Sequence, residues 1–381
     1  MTSRGSILVF GHPDSPLVAE RATVGARGGY ETWWYVFGPA PERFRDLDGL
    51  SGFIAAPQVE RGGHVLTKAH LAATFLRRQP CIAHVHYALM DREYVGWVSR
   101  LRPLVVSAMG GDVDPEQGFR GADVRAARRL LDHADIITSK SRFMDEQLLR
   151  IGAYGHKIRR VSWGVDLSRF RPGEPSAALR RRLKAGDDDV LFFCARACEP
   201  RLLKHVVVES FARARESFAR PAKLIVSEFN PDPVYLERLH RLVDELGIAD
   251  DVRFVGALSS TDMPEYFVTA DAVVSVPRRD GMPQTVFQAL ACGAPLILSD
   301  IPQIVELLDA GCAVDLVPVG EVEALAAVMV AVAADPQARR EAALANREKV
   351  TALADRETQV AAMNRIYDEL LPRTLGGRLG R

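Results

Sequence analysis

The chain has 381 residues, 48% of them hydrophobic and 26% charged. That is globular composition, long enough for two domains, and it excludes a largely disordered chain. Lysine plus arginine and aspartate plus glutamate number 49 each, and zero net charge argues against a dedicated nucleic-acid binder.

The five cysteines, Cys81, Cys194, Cys198, Cys292 and Cys312, are odd in number and sit in apolar runs. They read as buried thiols of a reducing compartment, so a cytoplasmic location is expected. Cys194 and Cys198 form a C-x3-C pair with no second pair, so no zinc site is expected. The N-terminal MTSRGSILVFGHPDS holds an apolar run too short for a signal peptide. No run approaches the roughly 18 apolar residues of a membrane span. Membrane contact is expected to be peripheral at most.

In chain order, the first half presents strand-like runs at 6–11, 32–37, 52–56, 82–86, 104–108 and 135–139, with amphipathic segments at 66–78 and 124–134. Gly164, Pro172, Gly173 and Pro175 break regular structure in WGVDLSRFRPGEPS, which puts a domain boundary near 170. Strand-like runs resume at 190–195, 222–228, 252–256, 272–276, 295–299 and 313–317. Helix starts are signalled by Asp232-Pro233, by Asp335-Pro336 before QARREAALANREKV, and by a capping box at 259–262. Alternating strand and helix predicts an α/β fold, with a parallel sheet covered on both faces. Two such series predict two doubly wound, Rossmann-like domains facing across a cleft.

Open parallel sheets bind ligands at the carboxyl ends of their strands, so the loops after the strands hold the candidates. In VSVPRRDGMPQTVFQALAC a strand ends and a helix begins. A helix start presents unpaired amides and the positive end of the dipole, which suits phosphate. Gly281 permits close backbone approach, and Pro283 stands where its missing N–H costs nothing. An ordinary Pro-started helix is the competing reading. CARACEPRLLKH supplies Arg196, Arg201 and Lys204, cations suited to a diphosphate or to a solvated basic turn. Arg180, Arg181 and Arg182 read as a solvated helix face. Asp112, after Gly110-Gly111, can hydrogen-bond sugar hydroxyls or cap the next segment. His84 and His86 share a strand face without a third ligand at a supporting spacing, so no metal site is expected.

These segments resemble, in order, the retaining glycosyltransferases of family four, the group 1 type with the GT-B fold. VSVPRRDGMPQTVFQALACGAPLILSDIPQIVELLDAG is similar to their donor loop, and RACEPRLLKHVVVESFARA to their diphosphate-binding turn. GHPDSP, HVHYALM and VVSAMGGDV resemble the acceptor-side loops, which implies His12, Asp14, Ser15, His86, Met109, Gly110 and Gly111 as acceptor-side residues. ETQVAAMNRIYDELL resembles the helix that crosses back to the first domain. The resemblance implies an acceptor domain over 1–170, a nucleotide-sugar domain over 171–354 and a returning helix over 355–381.

It also implies the chemistry, with Asp280 and Asp112 as catalytic carboxylates. Arg196, Arg201 or Lys204 and the segment Gly281, Met282, Pro283, Gln284 and Thr285 would hold the diphosphate, and Gln288 the ribose. The donor would be a UDP- or GDP-linked sugar, the acceptor a small molecule or glycan, with no cofactor and no metal. Gln288 stands where relatives have Glu, Met109 where many have His, and HPDSP where many have a glycine-rich loop. These departures point to an unusual donor or acceptor, as in specialised metabolism, or to a weakened, nucleotide-sugar-binding protein. A sugar-nucleotide epimerase of the same fold is the other enzyme class that fits the architecture.

Overall fold

The computed structural model describes residues 3–13, 15–40, 42–44, 47–57, 64–88, 92–114 and 122–371. The chain divides into two units, one running to Trp163 and resuming at Glu357, the other spanning Gly164–Arg356. The first division falls inside the expected breaker stretch but ahead of residue 170.

In the first unit the apolar runs become β1 (Ser6–Phe10), β2 (Glu31–Val36), β3 (Gly52–Ala55), β4 (Ile82–His86), β5 (Leu104–Ser107), β6 (Ile136–Ser139) and β7 (Ile158–Arg160). They form a sheet in the order β3-β2-β1-β4-β5-β6-β7. Every pairing is parallel, with Ser6 opposite Glu31 and Ile7 opposite Ile82. β1, β4 and β5 are buried at every residue, which is why they read as unbroken apolar runs. β7 carries no such run. It has three residues, two of them exposed arginines, and is defined by its pairing with β6.

The helix Arg356–Leu370 supplies the last face of this unit. Val360, Met363, Ile366 and Tyr367 are buried in one cluster with Ile7, Val9, Trp34, Ile82 and Val105. Each such side chain is worth about 1.5–3 kcal/mol when fully buried.

The second unit repeats the plan with β8 (Val190–Cys194), β9 (Ala222–Ser227), β10 (Val252–Val255), β11 (Ala272–Ser275), β12 (Leu296–Ser299) and β13 (Asp315–Val317). Their order is β10-β9-β8-β11-β12-β13, again with every pairing parallel. Alternate side chains of β8 feed two cores. Leu191 and Phe193 enter one, while Val190, Phe192 and Cys194 enter the other, as a period of two requires.

Two local features refine the expectations. QARREAALANREKV is not one helix but two, Pro336–Leu344 and Asn346–Ala354. The buried Asn346 amide accepts from the Ala313 N–H at 2.7 Å and donates to its carbonyl at 2.8 Å, which draws the chain inward at the break. At the unit's entry, Val165 donates to the Ala354 carbonyl at 2.6 Å and Arg356 donates back to Val165 at 3.0 Å. Gly164 sits there at φ +69°, and a Cβ on it would lie 2.4 Å from the Arg356 Cα. Glycine is required on both counts.

Candidate functional site

In the second unit the strand order reverses between β8 and β11. The loops after these two strands therefore diverge and leave a crevice at their carboxyl ends. Arg196 follows β8 and Asp280 follows β11, and the two form an ion pair. Their side chains are 14% and 10% exposed. The Arg196 Nη1 is buried and has no hydrogen-bond partner among the described residues. Arg196 thus holds a carboxylate with one edge and retains an unmet donor on the other. A buried guanidinium with free donors favours a second oxyanion.

The loop after β11 is pinned from both sides. Ser299 donates to the Pro277 carbonyl at 2.7 Å, and the Arg278 N–H donates to the Arg201 carbonyl at 3.2 Å. Gly281, Met282 and Pro283 are buried. Met282 adopts φ +76°, a left-handed conformation that costs a non-glycine residue about 1–2 kcal/mol. The helix Gln284–Ala291 follows, with Pro283 at its N-cap and no side chain capping it. Pro283 thus stands one position ahead of the first helical turn, where the sequence placed it. The Thr285 hydroxyl is buried there without a partner among the described residues. The Gln284 amide donates to the Gly164 carbonyl, so this position offers a ligand its backbone N–H rather than its side chain. Gln288 lies one turn on, half-buried.

The other predicted cations differ in kind. Arg201 is about half exposed and pairs with Glu199 at 2.7 Å. Lys204, the alternative diphosphate cation, faces inward. It is fully buried, and its ammonium donates to the carbonyls of Cys194 and Ser227, the last residues of β8 and β9. Burial lowers its pKa. Leu203, at φ +54°, turns the chain so that Lys204 points into the sheet ends instead of outward. The sequence showed a third cation but not this turn.

In the first unit the strand order reverses between β1 and β4. Asp112, read as bonding sugar hydroxyls or capping the next segment, organises its own loop. It is fully buried, with Oδ2 accepting from the Ala88 N–H at 2.7 Å. Oδ1 accepts from Met109 at 2.9 Å and Gly110 at 2.8 Å. Burial raises its pKa, and the backbone amides work against that rise. Gly110, at φ +135°, is buried and Gly111 is half-buried. Ser15 caps the helix Pro16–Ala22 by accepting from the Val18 N–H at 3.3 Å. His12 is exposed, and Asp14 lies outside the described residues.

His84 and His86 share a face, 4.0 Å between ring centroids. His84 is satisfied by the Tyr367 hydroxyl at Nδ1 and the Ser107 hydroxyl at Nε2, both at 2.7 Å. Ser107 passes on to Thr138 at 2.6 Å. Burial pushes the His84 imidazole down to about 3 and holds His86 well below the usual value, so both are neutral near pH 7. His86 lies against Trp163, as does Arg21. Arg21 also contacts the Met109 sulfur. Neither Arg21 nor Trp163 was legible as a site residue, because a lone Arg on a helix usually faces solvent and an aromatic beside a linker glycine usually packs.

Among the described residues no cluster of three or more His, Cys, Asp or Glu is arranged to hold a metal, and no helix is long and apolar enough to cross a membrane. The five thiols are free, Cys81 half-buried and the others buried.

The paired switch points define the class of architecture, two parallel α/β units of the GT-B type. HepE (Alr3699) of Anabaena, solved in complex with UDP and glucose, has the same fold, with a TM-score of 0.80, 18% identity, and 96% of this chain and 100% of that chain covered. Residues 176–349 match the family described as glycosyl transferases group 1. That match lies within the second unit, where the sequence resemblance to the donor-binding segments was read. D-inositol 3-phosphate glycosyltransferase 2 of Catenulispora acidiphila is 32% identical over 248 residues, 58% of this chain and 55% of that protein. The GDP-mannose-dependent alpha-(1-6)-phosphatidylinositol monomannoside mannosyltransferase of Mycolicibacterium smegmatis is 27% identical over 181 residues, 45% of this chain and 46% of that protein. The chain thus spans about half the length of these curated relatives.

Proposed function

We propose that this chain is a retaining glycosyltransferase. It moves a sugar from a UDP- or GDP-linked donor to a small-molecule or glycan acceptor in the cytoplasm, without a cofactor. The second unit takes the donor and the first the acceptor. The observation that carries this reading is the pairing of Arg196 with Asp280 beside an uncapped helix start, where Arg196 keeps a buried, unmet donor. The match of residues 176–349 to the group 1 family supports it.

In the reaction, the bond from the anomeric carbon to the diphosphate oxygen breaks, and its electron pair leaves with the diphosphate. Arg196, Arg201 and the amides at 284–285 stabilise that charge where it develops. The acceptor oxygen attacks from the same face and passes its proton to the departing phosphate. Asp280 lies within reach of both the cation and the sugar, and orients them. Gln288 holds the ribose through an uncharged amide, whose oxygen accepts and whose NH2 donates hydrogen bonds.

Incubation with UDP-glucose or GDP-mannose, followed by proton NMR, tests the proposal. The sugar transferred, or slowly released to water, appears first with the donor's anomeric configuration. Inverted product, or no turnover with any nucleotide sugar, contradicts it.

A further inference from the structure

We propose that the first unit holds a buried oxyanion site at its own switch point, built by Arg21, His86 and Trp163, and that the sugar acceptor is an anionic small molecule whose phosphate or carboxylate seats there. The acceptor half of this inference rests on the glycosyltransferase reading; the anion site does not.

Arg21 is 4% exposed and forms no ion pair among the described residues. Its hydrogen-bonding contact is the Met109 sulfur, a weak acceptor for a group with five N–H donors. Its guanidinium carbon lies 4.6 Å from the centre of the Trp163 ring. The cation–π contact returns less than the burial of an unpaired charge costs.

The neighbouring carboxylates do not fill the deficit. Asp112 spends its oxygens on the amides of Ala88, Met109 and Gly110. Burial lowers the Arg21 pKa by more than the charges of Glu20 and Asp112 raise it, so these carboxylates offset the deficit only in part. Burial accordingly pulls the guanidinium down to about 9, and an adjacent anion would restore it.

Two further groups in this cluster have buried polar atoms left unsatisfied. Among the described residues the buried Trp163 Nε1 has no partner, and neither have the two ring nitrogens of His86. The His86 ring lies 5.4 Å from the Trp163 ring. The contrast with His84 is informative, because that imidazole sits 4.0 Å away and has both nitrogens bonded. Burial in this layer therefore does not by itself leave a histidine unpaired. Trp163 is held at φ +71°, an unfavourable conformation for a bulky side chain.

A guanidinium, an indole N–H and an imidazole N–H are all donors. They call for an acceptor-rich, negatively charged ligand and would repel a metal cation. Their place matches. Arg21 follows β1, His86 ends β4 and Met109 follows β5, so the cluster lies at the carboxyl ends of the strands beside the reversal of order.

Calorimetric titration of the full chain with inorganic phosphate, and separately with acetate, tests the site. One of these anions is expected to bind saturably, in wild type and equally in Arg196→Ala, which removes the cation of the second unit. Which anion binds decides between a phosphorylated and a carboxylated acceptor. Arg21→Met should weaken that binding at least tenfold. Trp163→Phe keeps the ring and the packing but loses the N–H, and should weaken it severalfold. Absence of saturable binding to wild type, or binding unchanged in both variants, overturns the proposal. UDP and GDP affinity reads the second unit independently, so either proposal can fail while the other stands.

Discussion

Replacing Arg196 with alanine should separate two roles of the same side chain. In the free protein Arg196 neutralises Asp280, whose side chain is 10% exposed. Removing one partner of a buried pair costs roughly 3–5 kcal/mol, because the other charge is left uncompensated. Some solvent reaches this pair, so the lower end, about 3 kcal/mol, is expected. In a unit of this size that lowers the melting temperature by roughly 10 °C. The nucleotide diphosphate also loses a charge-assisted hydrogen bond, worth about 1.5–3 kcal/mol, so UDP or GDP should bind roughly ten- to a hundredfold more weakly. The double variant Arg196→Ala/Asp280→Ala removes the stranded charge. It should recover most of the lost stability and none of the affinity. Calorimetric melting and nucleotide titration on wild type, both single variants and the double variant complete the cycle. If affinity returns together with stability in the double variant, Arg196 is structural and the diphosphate assignment fails.

Thr285→Val should leave stability unchanged or slightly higher, since the buried hydroxyl has no protein partner; nucleotide titration should show a severalfold loss of affinity. Acid should destabilise the first unit through His84 and His86, whose native pKa values are depressed. The unfolded imidazoles take up protons below about 6.5 while the native ones do not. The stability they contribute is complete above that pH and falls by roughly 1 kcal/mol per unit for each as the pH drops toward their native values. Urea midpoints from pH 7.5 to 5 should decline accordingly, and less steeply in His84→Gln. Gly164→Ala should cost several degrees in a thermal melt, because it strains φ +69° and drives a Cβ to 2.4 Å from the Arg356 Cα.

Much of the fold was legible because a strand buried on both faces must be an apolar run. β1, β4, β5 and β12 are buried throughout and were read almost to the residue. β7 escaped because an edge strand with two exposed arginines has no such run. The helix break at Ala345 escaped because its cause, the Asn346 bonds to Ala313, lies thirty-three positions away in the chain.

In the candidate site, the loop after β11 stood out through Gly281 and Pro283, and Arg196 through its place after a strand. What the residue types left open was direction. Lys204 and Asp112 carry the right charges, yet one turns into the strand ends and the other into its own loop. Of the Arg21 cluster the sequence marked only His86, as an acceptor-side residue, since Arg21 and Trp163 come from distant segments without a motif.

The central claim is that the start of the helix Gln284–Ala291, with Arg196, receives a diphosphate. Its most direct test is titration of wild-type protein with uridine, UMP and UDP, and with the guanosine series. The account predicts that in one series affinity rises steeply from monophosphate to diphosphate, and that Arg196→Ala abolishes the step. Equal affinity for nucleoside, monophosphate and diphosphate, or a diphosphate step that survives in Arg196→Ala, would contradict it.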